Sequence, residues 1–216
     1  SATRDLPVTH DIGLRISWNN RPPVSVRPEL ADEKMDLPGA KIDWKKRRGN
    51  MRSVCTSCHT GNYVDNFYTQ YDGIINLYND KYAKPGLELM KLAKPLLNPN
   101  EFVNKVDWIW YEIWHHEGRR ARHGAAMMGP DYTHWHGTYE VAKHWYKDFV
   151  PELKHIIENG KSAKDPGAQK AAGGLSNKLD AVLNTADHNW YLGKMSKEEK
   201  EARKKAAEEF GKKYKK

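Results

Sequence analysis

The chain has 216 residues, 36 of them Lys or Arg and 28 Asp or Glu, for a formal charge of +8 with neutral histidines. Hydrophobic residues make up 38% and charged residues 30%, and no apolar run approaches a membrane span. That leaves material for one moderate core, or a core with an extension. Eight tryptophans and eleven tyrosines assign much of the packing to aromatic faces, which suit a flat cofactor as well as a plain core. The positive charge gathers in Lys45–Arg48 and in a tail from Lys197 to Lys216. No nucleic-acid-binding module accompanies it, so the reading is no nucleic acid, with steering of an acidic protein partner as its use.

Residues 1–43 carry Pro7, Pro22, Pro23, Pro28 and Pro38. Fixed φ and missing donors predict an extended or looped arm that lies against something else. His10, beside Asp11, is a candidate distal ligand for a haem held elsewhere, or else a surface histidine.

Cys55-Thr56-Ser57-Cys58-His59 has the form of a c-type haem attachment signal. Two thiols add across the vinyl groups of one porphyrin, and the adjacent imidazole becomes an axial iron ligand. The chain has two cysteines, and both are here. A structural zinc site needs more thiolates or paired histidines, and a disulfide scaffold needs more bridges. A thioredoxin-like pair would not require His59 and expects a βαβ context that the sequence lacks. Covalent haem c on Cys55 and Cys58, ligated by His59, is therefore the expected cofactor. Such attachment places the chain in the periplasm or another extracytoplasmic compartment, with Ser1 read as a mature or processed start.

From Tyr63 the pattern is helical, with Phe67, Tyr71, Ile74, Ile75 and Tyr78 at the spacing of a buried face. Lys84-Pro85-Gly86 predicts a kink or interruption, after which Leu87, Met90, Leu92 and Leu96 carry on the buried surface. Asn98-Pro99-Asn100-Glu101 reads as the next helix start. That helix carries Phe102, Val106, Ile109, Trp110, Ile113 and Trp114, and Gly129-Pro130 ends it. A third helix is predicted from Asp131 to Asn159-Gly160, bent at Pro151. Beyond lies an amphipathic segment around Leu175, Leu179, Val182 and Leu183. Ser196-Lys197-Glu198-Glu199 then fits a capping box that opens a charged, peripheral helix. The expected fold is mainly α: a haem-binding loop segment followed by long C-terminal helices. Its divisions are 1–60 (arm and haem attachment), 61–160 (long helices) and 161–216 (basic helical extension).

Six of the ten histidines fall between His115 and His144. One haem uses at most two. The rest are ligands to other haems, proton-handling groups in a pocket, or ordinary packing, and spacing does not choose among these.

The run Trp114-His115-His116-Glu117-Gly118-Arg119-Arg120-Ala121-Arg122-His123-Gly124, continuing through Met127-Met128-Gly129-Pro130-Asp131-Tyr132-Thr133-His134-Trp135-His136-Gly137, resembles the hydroxylamine oxidoreductase family of octahaem cytochromes c. Val8-Thr9-His10-Asp11, Ser17–Pro23 and Val64–Tyr68 resemble it too, and the likeness spans about 8–160.

The resemblance implies a multihaem cytochrome c fold assembled as a trimer. It implies that Cys55, Cys58 and His59 hold the last haem in chain order. It also implies that Tyr132, with Tyr139 in reserve, bonds covalently to the catalytic haem of a neighbouring chain in members that oxidise hydroxylamine or hydrazine. His136 looks like the distal ligand that related pentahaem nitrite reductases carry at the start of their last long helix. The likeness likewise favours His10 as a distal ligand. Arg119, Arg120 and Arg122 would pair with propionates, or line a solvated face.

The departure is that family members carry eight haem motifs and this chain carries one. It therefore reads as a C-terminal subunit or part that completes an enzyme together with a multihaem cytochrome c partner, which supplies the catalytic haem. Electrons would leave through its haems to an acidic or haem redox partner. The alternatives are an electron-transfer cytochrome with Met127 or Met128 as sixth ligand, and a nitrite-reducing relative without the tyrosine bond.

Overall fold

The computed structural model describes residues 44–214, and every regular element among them is helical. The mainly α expectation holds in that form. No helix among the described residues is long and apolar enough to cross a membrane.

Helix α1 (Trp44–Cys55) leads into the turn that carries Cys58 and His59. Helix α2 (Gly61–Tyr78) starts at Thr60, whose Oγ1 accepts from the Tyr63 amide at 3.4 Å. A π-helical turn, Asn79–Ala83, then joins α2 to α3 (Lys84–Ala93) without a break. The kink or interruption predicted at Lys84-Pro85-Gly86 takes the form of this π turn just before it, and the chain stays helical through Pro85. Pro85 falls where the wider turn gives way to α3, so its missing N–H is absorbed at the junction. The extra residue rotates all that follows by about 100°. Gly86, Leu89 and Ala93 are buried, while the predicted Leu92 lies exposed.

The second rod is α4 (Lys105–Tyr111), a π turn (Glu112–Glu117) and α5 (Gly118–Ala126). It begins later than Asn98-Pro99 predicted, because the asparagines close a loop instead of capping a helix. The Asn98 amide donates to Asn104 Oδ1 at 2.9 Å, and Asn104 Nδ2 donates to the Asn98 carbonyl at 3.0 Å.

Gly129-Pro130 separates this rod from the third, as predicted. That rod runs through α6 (Pro130–Thr133), a π turn (His134–Tyr139), α7 (Glu140–His144), a second π turn (Trp145–Phe149) and α8 (Val150–Ser162). Helix α9 (Pro166–Leu183) is capped by Asp165, which accepts from the Gly167 and Ala168 amides at 3.2 and 2.9 Å. Helix α10 (Lys197–Tyr214) starts at Ser196, whose Oγ accepts from the Glu199 amide at 3.1 Å.

Leu89, Val106, Ile113, Trp145, Phe149 and Leu153 share one core with Leu175, Leu179, Val182 and Leu183 of α9. A smaller cluster (Val64, Tyr68, Tyr71, Ile75, Ala126) joins α2 to α5, with Cys55 packed at its edge.

His188 closes the main core from the side. Its Nε2–H donates to the Lys81 carbonyl at 2.9 Å, and its Nδ1 accepts from the Tyr146 hydroxyl at 2.8 Å. The ring stacks on Trp145 with centroids 5.5 Å apart. Both nitrogens are used in the neutral tautomer, and burial holds the imidazole below its ordinary pKa. The unfolded chain then binds the extra proton first as pH falls. This part of the stability is complete above about pH 6.5 and is lost below it, down to the folded-state pKa. Urea midpoints measured at pH 7.5 and 5.5 should fall on acidification. In His188→Gln, which can keep both hydrogen bonds but cannot titrate, the fall should be smaller.

Candidate functional site

The segment Cys55–His59 is a tight turn at the end of α1. The Cys58 and His59 amides both donate to the Cys55 carbonyl, at 3.2 and 2.9 Å. Cys55 is half-buried, Cys58 and His59 are exposed, and no disulfide joins the thiols. Arg48 holds α1 to α2 through Asp72 at 2.9 Å and lies over the Tyr68 ring at 4.8 Å, and Arg52 pairs with Asp65. The His59 ring stacks on Tyr63 at 4.7 Å, nearly parallel. Two thiols and an imidazole on one exposed turn, beside an aromatic wall, fit a covalently held haem. Cys55, Cys58 and His59 would hold such a group, which when bound would supply one-electron transfer.

Tyr63 also links this turn to the histidine-rich rods, its hydroxyl lying 4.0 Å from Met128 Sδ. Met128 occupies the left-handed position that ends α5, with φ +56°, where glycine is usual. The Gly129 amide closes the motif on the Gly124 carbonyl at 2.8 Å.

Past this turn the structure brings Tyr132 and His136 together, their ring centroids 5.9 Å apart. His136 faces Asp131 Oδ2 at 3.5 Å and Glu140 Oε2 at 3.9 Å. Trp135 and Tyr139 pack edge to face at 5.6 Å. They border an open recess of about 680 Å³, lined also by Pro130, Asp131, His134 and Thr138. Tyr132, Trp135 and Tyr139 are 52%, 63% and 55% exposed, high for large aromatics. His10 lies outside the described residues.

Other predicted residues have protein partners. Arg119 Nη1 donates to His115 Nε2 at 2.9 Å, and His115 stacks on Tyr111 at 4.5 Å. Arg122 is buried, donates to the Gly118 carbonyl at 3.0 Å and sits over the Tyr78 ring at 5.3 Å. Burial, with Arg122 and Arg119 nearby, lowers the His123 pKa.

Sequence reading passed over one further group. Arg120 stands 3.8 Å from Glu117 and 3.7 Å from Glu140. His116 Nδ1 faces Glu112 at 2.9 Å and Glu117 at 3.2 Å. His144 Nε2 faces Glu117 at 4.0 Å, while its Nδ1 bonds Asp148 at 3.0 Å. Burial, and the Glu140 carboxyl beside it, raise the Glu117 pKa. The readable signal was a carboxylate four residues from each histidine, at Glu112/His116 and His144/Asp148.

Comparison with protein-family models, curated proteins and solved structures found no match.

The π turn that carries His136 rests directly on α5. A Cβ at Gly137 would stand 2.5 Å from the Tyr132 carbonyl oxygen and 2.6 Å from Ala121 Cα, both backbone atoms. Gly137→Ala should therefore push the turn away from α5 and cost about 1–3 kcal/mol. Urea denaturation measures it, and an unchanged midpoint would show that the contact is dispensable.

Proposed function

We propose that this chain is the monohaem C-terminal subunit or part of a hydroxylamine-oxidoreductase-like complex that oxidises hydroxylamine or hydrazine. It carries one covalent haem c on Cys55, Cys58 and His59 and presents Tyr132 to the catalytic haem of a multihaem cytochrome c partner. The observation that carries the reading is the exposure of three large aromatic rings on one short segment, Tyr132 paired with His136, and Trp135 with Tyr139 at the edge of the recess. Apolar rings left in solvent around a recess favour a covering partner, and a haem face is a flat, apolar one.

Within this reading each residue has a role. His59 binds the iron of the chain's own haem, and the stacked Tyr63 limits the turning of the imidazole. Tyr132 fixes the orientation of the partner's macrocycle through a covalent bond. His136 is a distal haem ligand whose ring is aimed by Asp131 and Glu140, as outer carboxylates aim ligating imidazoles. His10 supplies a further distal ligand. When bound, the haems would supply electron transfer from the substrate to an acidic or haem redox partner outside the cytoplasm. The assembly is a trimer of the paired chains.

A denaturing gel stained for haem, with intact mass, tests this. The chain should run covalently joined to a larger multihaem polypeptide, Tyr132→Phe should release it, and the released chain should keep one haem that Cys55→Ser/Cys58→Ser removes. A chain that runs alone in its native form rejects the cross-link.

One observation favours a second reading, an electron-transfer cytochrome with a methionine sixth ligand. Met128 sits beside Tyr63, which stacks on His59, and holds a left-handed conformation that glycine adopts more easily. Under this reading the oxidised protein shows the long-wavelength charge-transfer band of sulfur-ligated ferric haem, and Met128→Ala abolishes it. If the side chain has no such role, Met128→Gly relaxes the backbone and stabilises the protein by roughly 1 kcal/mol, with no spectral change.

A further inference from the structure

The hydroxyls of Tyr78 and Tyr146 bond to acceptors of different kinds. Tyr78 donates to a backbone carbonyl, that of Ile113 at 3.2 Å, which holds no proton of its own near neutral pH. Tyr146 donates at 2.8 Å to Nδ1 of His188, which is a base. His188 is 1% exposed, and its Nε2–H is fixed on the Lys81 carbonyl at 2.9 Å. Its one lone pair is therefore Nδ1, aimed at one phenol. Aromatic rings close the pair in: Trp145 lies 5.5 Å and Tyr82 6.1 Å from the imidazole, and Tyr191 lies 5.2 Å from the Tyr146 ring. Lys81 and Asp187 are the charged side chains that act on the imidazole, and the Asp187 carboxylate favours its protonated form. On the outer side Trp190, 37% exposed, packs edge to face on Tyr146 at 4.5 Å.

We propose that Tyr146 is a one-electron oxidation site whose phenolic proton passes to His188, with Trp190 as its entry from solvent. The substrate class is a diffusing radical oxidant. Loss of an electron turns a phenol into a strong acid, so oxidation is easy where a positioned base receives the proton. The oxidant takes one electron from the Trp190 indole and is reduced by it. The indole is refilled by one electron from Tyr146. The Tyr146 O–H bond breaks as the Nδ1–H bond of His188 forms, which leaves a neutral tyrosyl radical beside an imidazolium. The single positive charge on the imidazolium balances the electron removed. One electron from a small reductant such as ascorbate, with the proton returning from Nδ1, restores the pair. The charge does not rest on Trp145, because the N–H of that fully buried indole has no acceptor to take its proton. The site is separate from Cys55–His59 and from Tyr132, and it does not depend on the function proposed for them.

Flash oxidation of the full, oxidised chain by photogenerated ruthenium(III) tris-bipyridine at neutral pH, with rapid freezing and electron paramagnetic resonance, tests the proposal. The native chain should show a neutral tyrosyl radical. Tyr146→Phe, which keeps the ring packing, should abolish it. His188→Gln, which can keep the hydrogen bond but cannot take the proton, should remove most of it. Trp190→Phe should lower the yield, and Tyr111→Phe, whose ring stacks on His115 in another rod, should leave it unchanged. No tyrosyl signal in the native chain, or one that survives Tyr146→Phe, overturns the site. A full yield in His188→Gln overturns the proton transfer. Should that variant not fold, a radical that forms equally fast in deuterated water overturns it instead. A yield unchanged by Trp190→Phe overturns the entry route.

Discussion

The contact on which the rest of the molecule depends is Tyr78 reaching from α2 into the backbone of the neighbouring rod. Its hydroxyl donates to the Ile113 carbonyl at 3.2 Å, inside the π turn that carries Glu112, His116 and Glu117. Gly118 lets the ring come this close, since a Cβ there would lie 2.3 Å from the hydroxyl oxygen. Arg122 closes over the ring and bonds the Gly118 carbonyl. Burial pushes the phenol up to about 12, the Arg122 charge opposing it, so the hydroxyl stays a donor throughout the neutral range. A π turn strains the regular hydrogen-bond ladder, and a buried donor aimed at one of its carbonyls helps hold it in place.

That turn decides which way the histidine-rich sequence faces. Glu117 goes inward, His116 lies between two carboxylates, and His115 turns out to stack on Tyr111. The π turn at His134–Tyr139 is pressed against α5 through Gly137 and leaves Tyr132, Trp135 and Tyr139 facing solvent. The chain as a whole is strongly basic, yet around these turns Glu112, Glu117, Glu140, Asp131 and Asp148 lie against the histidines. Local acid is thus placed where imidazoles need orienting, whatever they bind.

Much of the candidate site was legible from the residues themselves. The Cys-x-x-Cys-His spacing is short enough for one tight turn, and the Cys58 and His59 amides close such a turn on the Cys55 carbonyl. Tyr132 and His136 are four apart and meet on one face, as helical spacing requires. The nearest acidic partners of His116 and His144 were visible as carboxylates four residues away, Glu112 before the one and Asp148 after the other. Their significance was hidden because Glu117, the residue joining the two pairs, is brought in by the π turn and not by helical periodicity.

The sequence by itself determined the helical character of the long segments, the capping serine at 196, the break at Gly129-Pro130 and the four-residue apolar stripe of α9. These follow from local periodicity and terminal chemistry, which are short-range and survive any packing. Tertiary structure alone decided the continuity of the rod through Pro85, the burial of Leu89 in preference to Leu92, and the loop at Asn98–Asn104. Each of these turns on one residue added to a helical turn, or on a side chain bonding across a loop. A single π turn rotates every later side chain by about 100°, and linear spacing does not show where that residue is inserted.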